Sequence, residues 1–399
     1  MTRRFLRMAI VLGLITAVGP FAVDMYLPAL PSMGKSLEAT PGAVQMSLMA
    51  FIIVIGICQL FYGPLSDIVG RKLPIYGGLA IFTIGSIGCA LAPNVTILIA
   101  FRVLQAFGAC AGMVIPRAIV RDLHTGHDAT RLMSLLMLTV SISPILAPLT
   151  GSFVIAAFGW RGVFAVLTIA AIIAFILTAT QLKETRPAEQ RGESSWRSAF
   201  SAYGLLLRDG EFLGLTLVGA LGISSFFVYL GSASFVLINH YGLTPKLFSL
   251  CFALNAASFF GFSQLTGTLT QRFGLPRVVR AAACCFALAM LSLAGLFAMG
   301  VDNLLALMAP LFIGYGFLGL VIPATAVLSL EHHGAIAGTA SALMGSLQMI
   351  IGSAIMALAG LFADGSPKPM TFGIAACAAA AFLVTQFALR RPAANPSTL

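Results

Sequence analysis

Twelve apolar runs, each long enough to cross a bilayer as a helix, divide this chain of 399 residues. A hydrocarbon core about 30 Å thick takes about 20 helical residues. Six such runs lie near residues 5–30, 43–66, 73–92, 95–120, 131–157 and 162–182. A polar stretch follows from Lys183 to Glu211, and then six more runs, near 212–238, 246–270, 277–299, 303–328, 335–361 and 370–389. None shows the apolar–polar alternation of a barrel strand, so they read as helices. Only 9% of the residues are charged and 59% are hydrophobic. A soluble domain is about one-quarter charged, so lipid must be the main solvent here.

The formal charge of +10 is gathered in short clusters between the runs. That placement argues against nucleic acid, which needs basic groups along one face, and fits membrane topology instead. With the N-terminus inside, the inner segments carry Arg3, Arg4, Arg7, Arg71, Lys72, Arg117, Arg121 and Arg131 in the first half. The linker adds Lys183, Arg186, Arg191, Arg197 and Arg208, and the second half Arg272, Arg277, Arg280, Arg390 and Arg391. The outer segments hold only Lys35, Arg161, Lys246 and Lys368. Both termini and the linker are therefore expected in the cytoplasm. The first run is too long for a cleavable leader and carries an acid where small residues would mark a cleavage site. All seven cysteines fall inside apolar runs without metal-ligand spacing, as small buried hydrophobes do.

The two halves repeat. Gly63-Pro-Leu-Ser-Asp-Ile-Val-Gly70 follows run 2 and Gly267-Thr-Leu-Thr-Gln-Arg-Phe-Gly274 follows run 8, each before a basic inner turn. Gly112-Met-Val-Ile-Pro116 in run 4 pairs with Gly319-Leu-Val-Ile-Pro323 in run 10. The offsets are 204 and 207 residues. The chain thus reads as all-α and integral to the membrane, with two pseudo-symmetric six-helix halves, residues 1–182 and 212–399, joined by a linker at 183–211. Such a design places a transport site between the halves near mid-membrane.

Acids are nearly confined to loops and run ends; Asp24 lies inside run 1. A lone carboxylate there is costly if it faces lipid, so it should face a cavity or a partner, as a group able to hold a proton or a cationic solute. Pro20 and Pro28 flank it and can break the helix, freeing carbonyls. Phe21 lies one turn before Asp24 and shares its face if the helix is unbroken there. Arg102, inside run 4 and one turn before Gln105, stays charged and needs an acceptor within the bundle. Asp24 is the natural partner, directly or through water; the alternative is a packing strut that binds backbone carbonyls. Tyr26, Gln105, Asn239, Asn255, Gln264 and Gln348 are further candidates to line a cavity.

In the turn after run 2, Gly63 and Gly70 permit close approach and a tight turn. Asp67 and Arg71 stand four apart, a spacing suited to an ion pair, and Asp122 can join them. Pro144, Pro148 and Gly151 should bend run 5 and let it pack tightly. Gly314-Tyr-Gly316-Phe-Leu-Gly319 matches a dinucleotide pattern but lies in an apolar helix with no preceding strand, so that reading fails. His332 and His333 read as loop residues.

These residues resemble the major facilitator superfamily, and within it the bicyclomycin-resistance/chloramphenicol-efflux (Bcr/CflA-type) drug:proton antiporters. Asp24-Met-Tyr-Leu-Pro-Ala-Leu-Pro31 is similar to that family's first-span motif, Gly63 to Lys72 to the superfamily loop motif, and Phe101-Arg102-Val-Leu-Gln105-Ala-Phe-Gly108 to its fourth-span motif. Ser143 to Gly151, followed by Gly159-Trp160-Arg161, resembles the antiporter fifth span. The resemblance implies that Asp24 couples proton and substrate and that Arg102 is its charge partner in coupling. Asp67, Arg71 and Asp122 would latch the halves, and Pro148 and Gly151 would shape the bend. Four positions depart from the pattern: Ile68 stands where the loop motif has Arg, Ala147 and Ser152 where the antiporter motif has Gly, and Thr16 where some relatives carry a second acid. One membrane acid implies one proton per substrate.

The expectation is a secondary transporter of a bacterial inner membrane, not an enzyme, powered by the proton-motive force without a cofactor or metal. Its partners would be small lipophilic or weakly cationic drug-like molecules, protons and membrane lipids, with the protein itself a monomer. An exporter of a sugar or amino acid on the same fold is the alternative, although such sites usually need more polar groups.

Overall fold

The computed structural model describes residues 3–124, 126–187 and 196–389. Arg191, Arg390 and Arg391 of the inner basic set lie outside them. Among the described residues there is no strand, and eleven helices are long and apolar enough to cross a membrane. Spans 1–4 are Phe5–Ser36, Pro41–Val69, Lys72–Leu91 and Val95–Leu123. Spans 5 and 6 share one helical stretch, Asp128–Gln181, which folds at Gly159, whose φ of +69° and ψ of −177° no helix contains. Spans 7–12 are Gly210–His240, Pro245–Phe273, Leu275–Ala298, Leu304–Leu330, Ala337–Leu361 and Pro367–Ala388. Divided at Gly159, the stretches make the twelve crossings that the apolar runs predict.

Local chemistry starts these helices where it should. The Thr40 hydroxyl accepts from the Ala43 amide before span 2, with Pro41 in the first turn. Asn94 and Asn303 cap spans 4 and 10 in one geometry, with φ −146° at both and their Oδ1 accepting from Ile97 and Ala306 at 2.9 and 2.8 Å. The repeat therefore extends to a pair the motif comparison did not include. It extends to backbone as well: Gly70 (φ +96°) and Gly274 (φ +84°) end corresponding turns in a region that favours glycine.

The chain forms two compact units, residues 1–200 with 231–253, and 201–230 with 254–389 among the described residues. In the first, span 1 packs on spans 4 and 5, span 2 on span 4, and span 3 on spans 4 and 6. Glycines allow the closest approach: a Cβ at Gly108 of span 4 would strike the Gly78 carbonyl of span 3, and one at Gly85 would come within 2.6 Å of the Gln105 amide. In the second, span 9 packs on spans 10 and 12, as span 3 does on 4 and 6. The polar stretch 183–211 is not all loop. Trp196–Leu206 is a helix that buries Tyr203 and Leu206, and the rings of Trp196 and Phe200 each lie 6.2 Å from Phe61. Span 7 ends in a π-helical turn, Phe235–His240.

Candidate functional site

Span 1 is not one continuous helix. Its α-helix runs from Arg3 to Asp24, followed by a turn, a short 3-10 segment Leu27–Ala29, and a second helix Leu30–Ser36. Pro28 and Pro31 have no amide to donate, so the helical ladder cannot pass through this segment. Asp24 is thus the last residue of a half-helix, and Phe21 remains one turn below it, its carbonyl accepting from Met25 at 2.9 Å. Asp24 is 5% exposed, and among the described residues no hydrogen bond or ion pair reaches its carboxylate.

The same break settles where Arg102 finds its acceptors. Its side chain is wholly buried. Nη1 donates to the Ala22 carbonyl at 3.0 Å and to Gln105 Oε1 at 2.6 Å, and Nε donates to the Ser47 carbonyl at 3.4 Å. Gln105 in turn donates to Ser86 Oγ at 2.7 Å. The guanidinium carbon sits 4.0 Å from the centre of the Phe51 ring and 4.5 Å from that of Tyr26, a double cation–π contact. Asp24 is not its partner in this structure; the charge is met by carbonyls, one of them exposed by the end of the half-helix two residues on. Among the described residues Nη2 has no acceptor. A buried cation with one orphan donor is thus bonded two residues short of a buried acid that has no hydrogen-bond or ion-pair partner among the described residues.

Span 5 approaches the same turn. A Cβ at Gly151 would collide with the Met25 carbonyl oxygen, so span 5 rests on the backbone next to Asp24. Pro144 and Pro148 lie in that helix, and the Pro148 carbonyl accepts from Ser249 Oγ at 2.8 Å. Ser234 Oγ donates to the Leu27 carbonyl at 2.7 Å, another backbone acceptor in the broken part of span 1.

A second cluster occupies the basic turn between spans 2 and 3. Arg71 pairs with Asp67 at 2.6 Å and with Asp122 through Nε at 2.8 Å and Nη2 at 3.2 Å. Arg186 Nη1 lies 3.3 Å from Asp67, and Thr185 donates to Asp122 at 3.1 Å. Gly70 makes the turn, whereas a Cβ at Gly63 would meet nothing within 4 Å. One member was not foreseen: Glu184. Its carboxylate accepts from the amides of Arg71 at 2.9 Å and Lys72 at 3.1 Å, capping span 3 from across the unit. The nearby run Lys183-Glu184-Thr185-Arg186, directly after span 6, was the available signal.

Partial burial pushes the Glu184 carboxyl up, but the amides of Arg71, Arg186, Lys72 and Thr185 outweigh it and hold it below the usual range. A depressed value contributes stability above the unfolded-state value of about 4.3, and that contribution disappears as pH falls through the folded one. Glu184→Gln should therefore melt about 2 °C lower at pH 7, as expected for loss of a helix cap. The difference should close near pH 3. Melting curves in detergent at both pH values check this, and an equal deficit at both would refute the charge argument.

The remaining candidates scatter. Tyr26 and Gln105 join the Arg102 cluster, with the Tyr26 hydroxyl 3.4 Å from Ser47 Oγ. Asn255 is buried in the second unit, donating to the Tyr229 hydroxyl at 3.1 Å, and Gln348 faces Gly219 of span 7. Asn239 and Gln264 are exposed, the first in the π-helical turn and the second at a break between two helices of span 8. His333 is not a free loop residue: its Nε2 lies 3.0 Å from Asp209, which also accepts from the amides of Glu211 and Phe212 at the start of span 7.

The sequence matches the Major Facilitator Superfamily model over residues 12–357. It is 31% identical over 364 residues to multidrug resistance protein D of Escherichia coli, covering 89% of this chain and 88% of that one. It is 31% identical over 344 residues to a chloramphenicol resistance protein of Pseudomonas aeruginosa, covering 84% and 80%. A bicyclomycin resistance protein homologue of Haemophilus influenzae is 28% identical over 384 residues, 95% of each chain. Among solved structures, a D-xylose–proton symporter superposes with a TM-score of 0.76 over 96% of this chain and 97% of that one, at 17% identity, which speaks for the fold alone. The broken first span, the twelve repeated crossings and these relatives agree: the chain belongs to the major facilitator superfamily, as a multi-pass transporter of its Bcr/CflA-type branch.

Proposed function

We propose that this transporter exports small lipophilic or weakly cationic drug-like molecules from a bacterial cytoplasm across the inner membrane, in exchange for protons. The observation that carries the reading is Asp24, a buried carboxylate at the broken end of a membrane half-helix, with no hydrogen-bond or ion-pair partner among the described residues. Such a group in a membrane interior is functional by default, because holding it there serves no packing purpose. Its neighbours Phe21 and Met25 are apolar, which suits lipophilic cargo. The drug-resistance names of the three relatives point the same way.

The cycle is alternating access. Facing the cytoplasm, Asp24 releases its proton as cargo binds; facing outward, it takes a proton and cargo leaves. Arg102 does not neutralise Asp24 in this arrangement. It grips the Ala22 carbonyl and so holds the end of the half-helix in place, with Nη2 left over to meet an acceptor that arrives during the cycle. The cluster of Asp67, Arg71 and Asp122 serves as the latch of the cycle. A proton-motive force of about 150 mV supplies about 3.5 kcal/mol per proton, enough for a gradient of several hundredfold in a neutral cargo.

The test is a resistance profile of a pump-deficient bacterium expressing this chain, with and without a protonophore. Raised tolerance to several unrelated lipophilic antibiotics, lost with the protonophore, is the expected result. Uptake or release of labelled sugars or amino acids without any change in drug tolerance would overturn it.

A further inference from the structure

Spans 11 and 12 of the second unit do not close against each other along their whole length. Between them lies a cleft of about 460 Å³ that extends to Leu221 of span 7. Its walls include Leu358 and Phe362 of span 11 and Pro369, Phe372 and Ala376 of span 12, and no charged side chain enters it. Leu358, Phe362 and Phe372 remain 57%, 67% and 45% exposed, so the cleft is open along one side. In a chain with these spans, that side meets hydrocarbon. The lining of span 12 runs from Pro369 to Ala380, about 16 Å of helix at 1.5 Å per residue. That is close to half of a hydrocarbon core of about 30 Å, the depth of one leaflet.

The connection that joins two of the lining residues, Phe362 and Pro369, is polar and carries both signs of charge. It holds Asp364 and Lys368, both exposed. The Asp364 carboxylate accepts from the Ser366 amide at 2.8 Å, and bonds from the Ser366 side chain and amide hold its carboxyl below the usual range. Lys368 lies in the first turn of span 12, where the helix dipole also favours a negative group.

We propose that this cleft binds one membrane phospholipid whose headgroup carries a primary ammonium: an acyl chain lies along spans 11 and 12, the phosphate meets Lys368, and the ammonium meets Asp364. The charge pattern selects among lipids. A glycerol headgroup gives Asp364 no cation, and a trimethylated ammonium gives it no N–H donor. An acyl chain reaching one leaflet deep matches the length of the groove. The inference requires that these spans sit in a bilayer but is independent of which cargo is exported or whether protons drive it.

The test uses the full-length protein, purified in detergent and offered phosphatidylethanolamine, phosphatidylglycerol and phosphatidylcholine in equal amounts, with bound lipid counted by native mass spectrometry. Phosphatidylethanolamine should be retained about tenfold over either competitor, the worth of one charge-assisted hydrogen bond. Asp364→Asn should erase the discrimination between ethanolamine and choline lipids, and Lys368→Gln should weaken retention of all three. Ala376→Trp, which fills the groove, should bring bound lipid to background; Ala380→Leu serves if the larger substitution does not fold. Equal retention of the three lipids, or unchanged lipid in a folded groove-filling variant, would overturn the proposal. So would a groove-filling variant that alters which drugs are exported while lipid binding stays intact, because the cleft would then belong to the cargo.

Discussion

Asp24→Asn should collapse the cargo gradient that an imposed pH gradient builds in inverted vesicles from several hundredfold to near unity, with the protein still folded. The argument is one of linkage. If one carboxyl group alternately holds a proton and gives it up, removing its titration removes the whole of the roughly 3.5 kcal/mol that a proton delivers, and no other acid in the membrane interior can take its place. Asparagine keeps the shape and can still bind at the end of the half-helix, so facilitated movement of cargo down its own gradient should survive. The two assays together separate coupling from binding. Active accumulation at the original level in Asp24→Asn vesicles would end the proton-exchange reading. Loss of both active and passive movement, with normal melting, would instead make Asp24 a cargo-binding group.

The second large effect is expected at Arg102. Lysine keeps the charge but not the fork, and here the fork matters: one nitrogen serves Ala22 and Gln105, another reaches Ser47, and the guanidinium carbon lies within 4.5 Å of the centres of both the Phe51 and Tyr26 rings. A compact ammonium cannot span these acceptors, and each buried carbonyl left without a donor costs about 1–3 kcal/mol. Arg102→Lys should therefore lower the melting temperature by several degrees and reduce export by more than about tenfold, because the end of the half-helix is no longer held. Melting curves and vesicle export measured on the same preparation check both parts. A variant that melts and transports like the parent would show that charge alone is required at this position.

Much of this architecture was legible in the sequence because bilayers leave a chain few choices. Long apolar runs must be helices, and the fold at Gly159 fell between two of them. Asp24 stood out as an acid with no business in hydrocarbon, and Pro28 announced the break beside it, whereas Pro20 lies inside the continuous helix. Asp67 and Arg71 declared their pairing by their spacing. Backbone carbonyls stood as the alternative acceptors for Arg102, but which carbonyls, or whether Asp24 would be the partner instead, could not be read. The partners of Arg102 are carbonyls whose availability arises from the break in span 1, so residue types at 22 and 47 carry no sign of them. Glu184 caps a helix more than a hundred positions away in the chain, a contact that only the packing of span 6 beside span 3 creates. The linker helix Trp196–Leu206 was masked by the polar residues around it, and Asn239 and Gln264 looked like cavity residues only because amides are scarce in such helices.

The bare Cα at position 151 has a consequence for how this protein can diversify. With the Met25 carbonyl against it and no side chain between, span 5 and the end of the half-helix that carries Asp24 form one mechanical part, and neither can be displaced without dragging the other. Populations selected for resistance to new compounds should therefore vary at Phe21, which is only half-buried, yet return glycine at 151 every time, because even a methyl group there would push the acid away from its post.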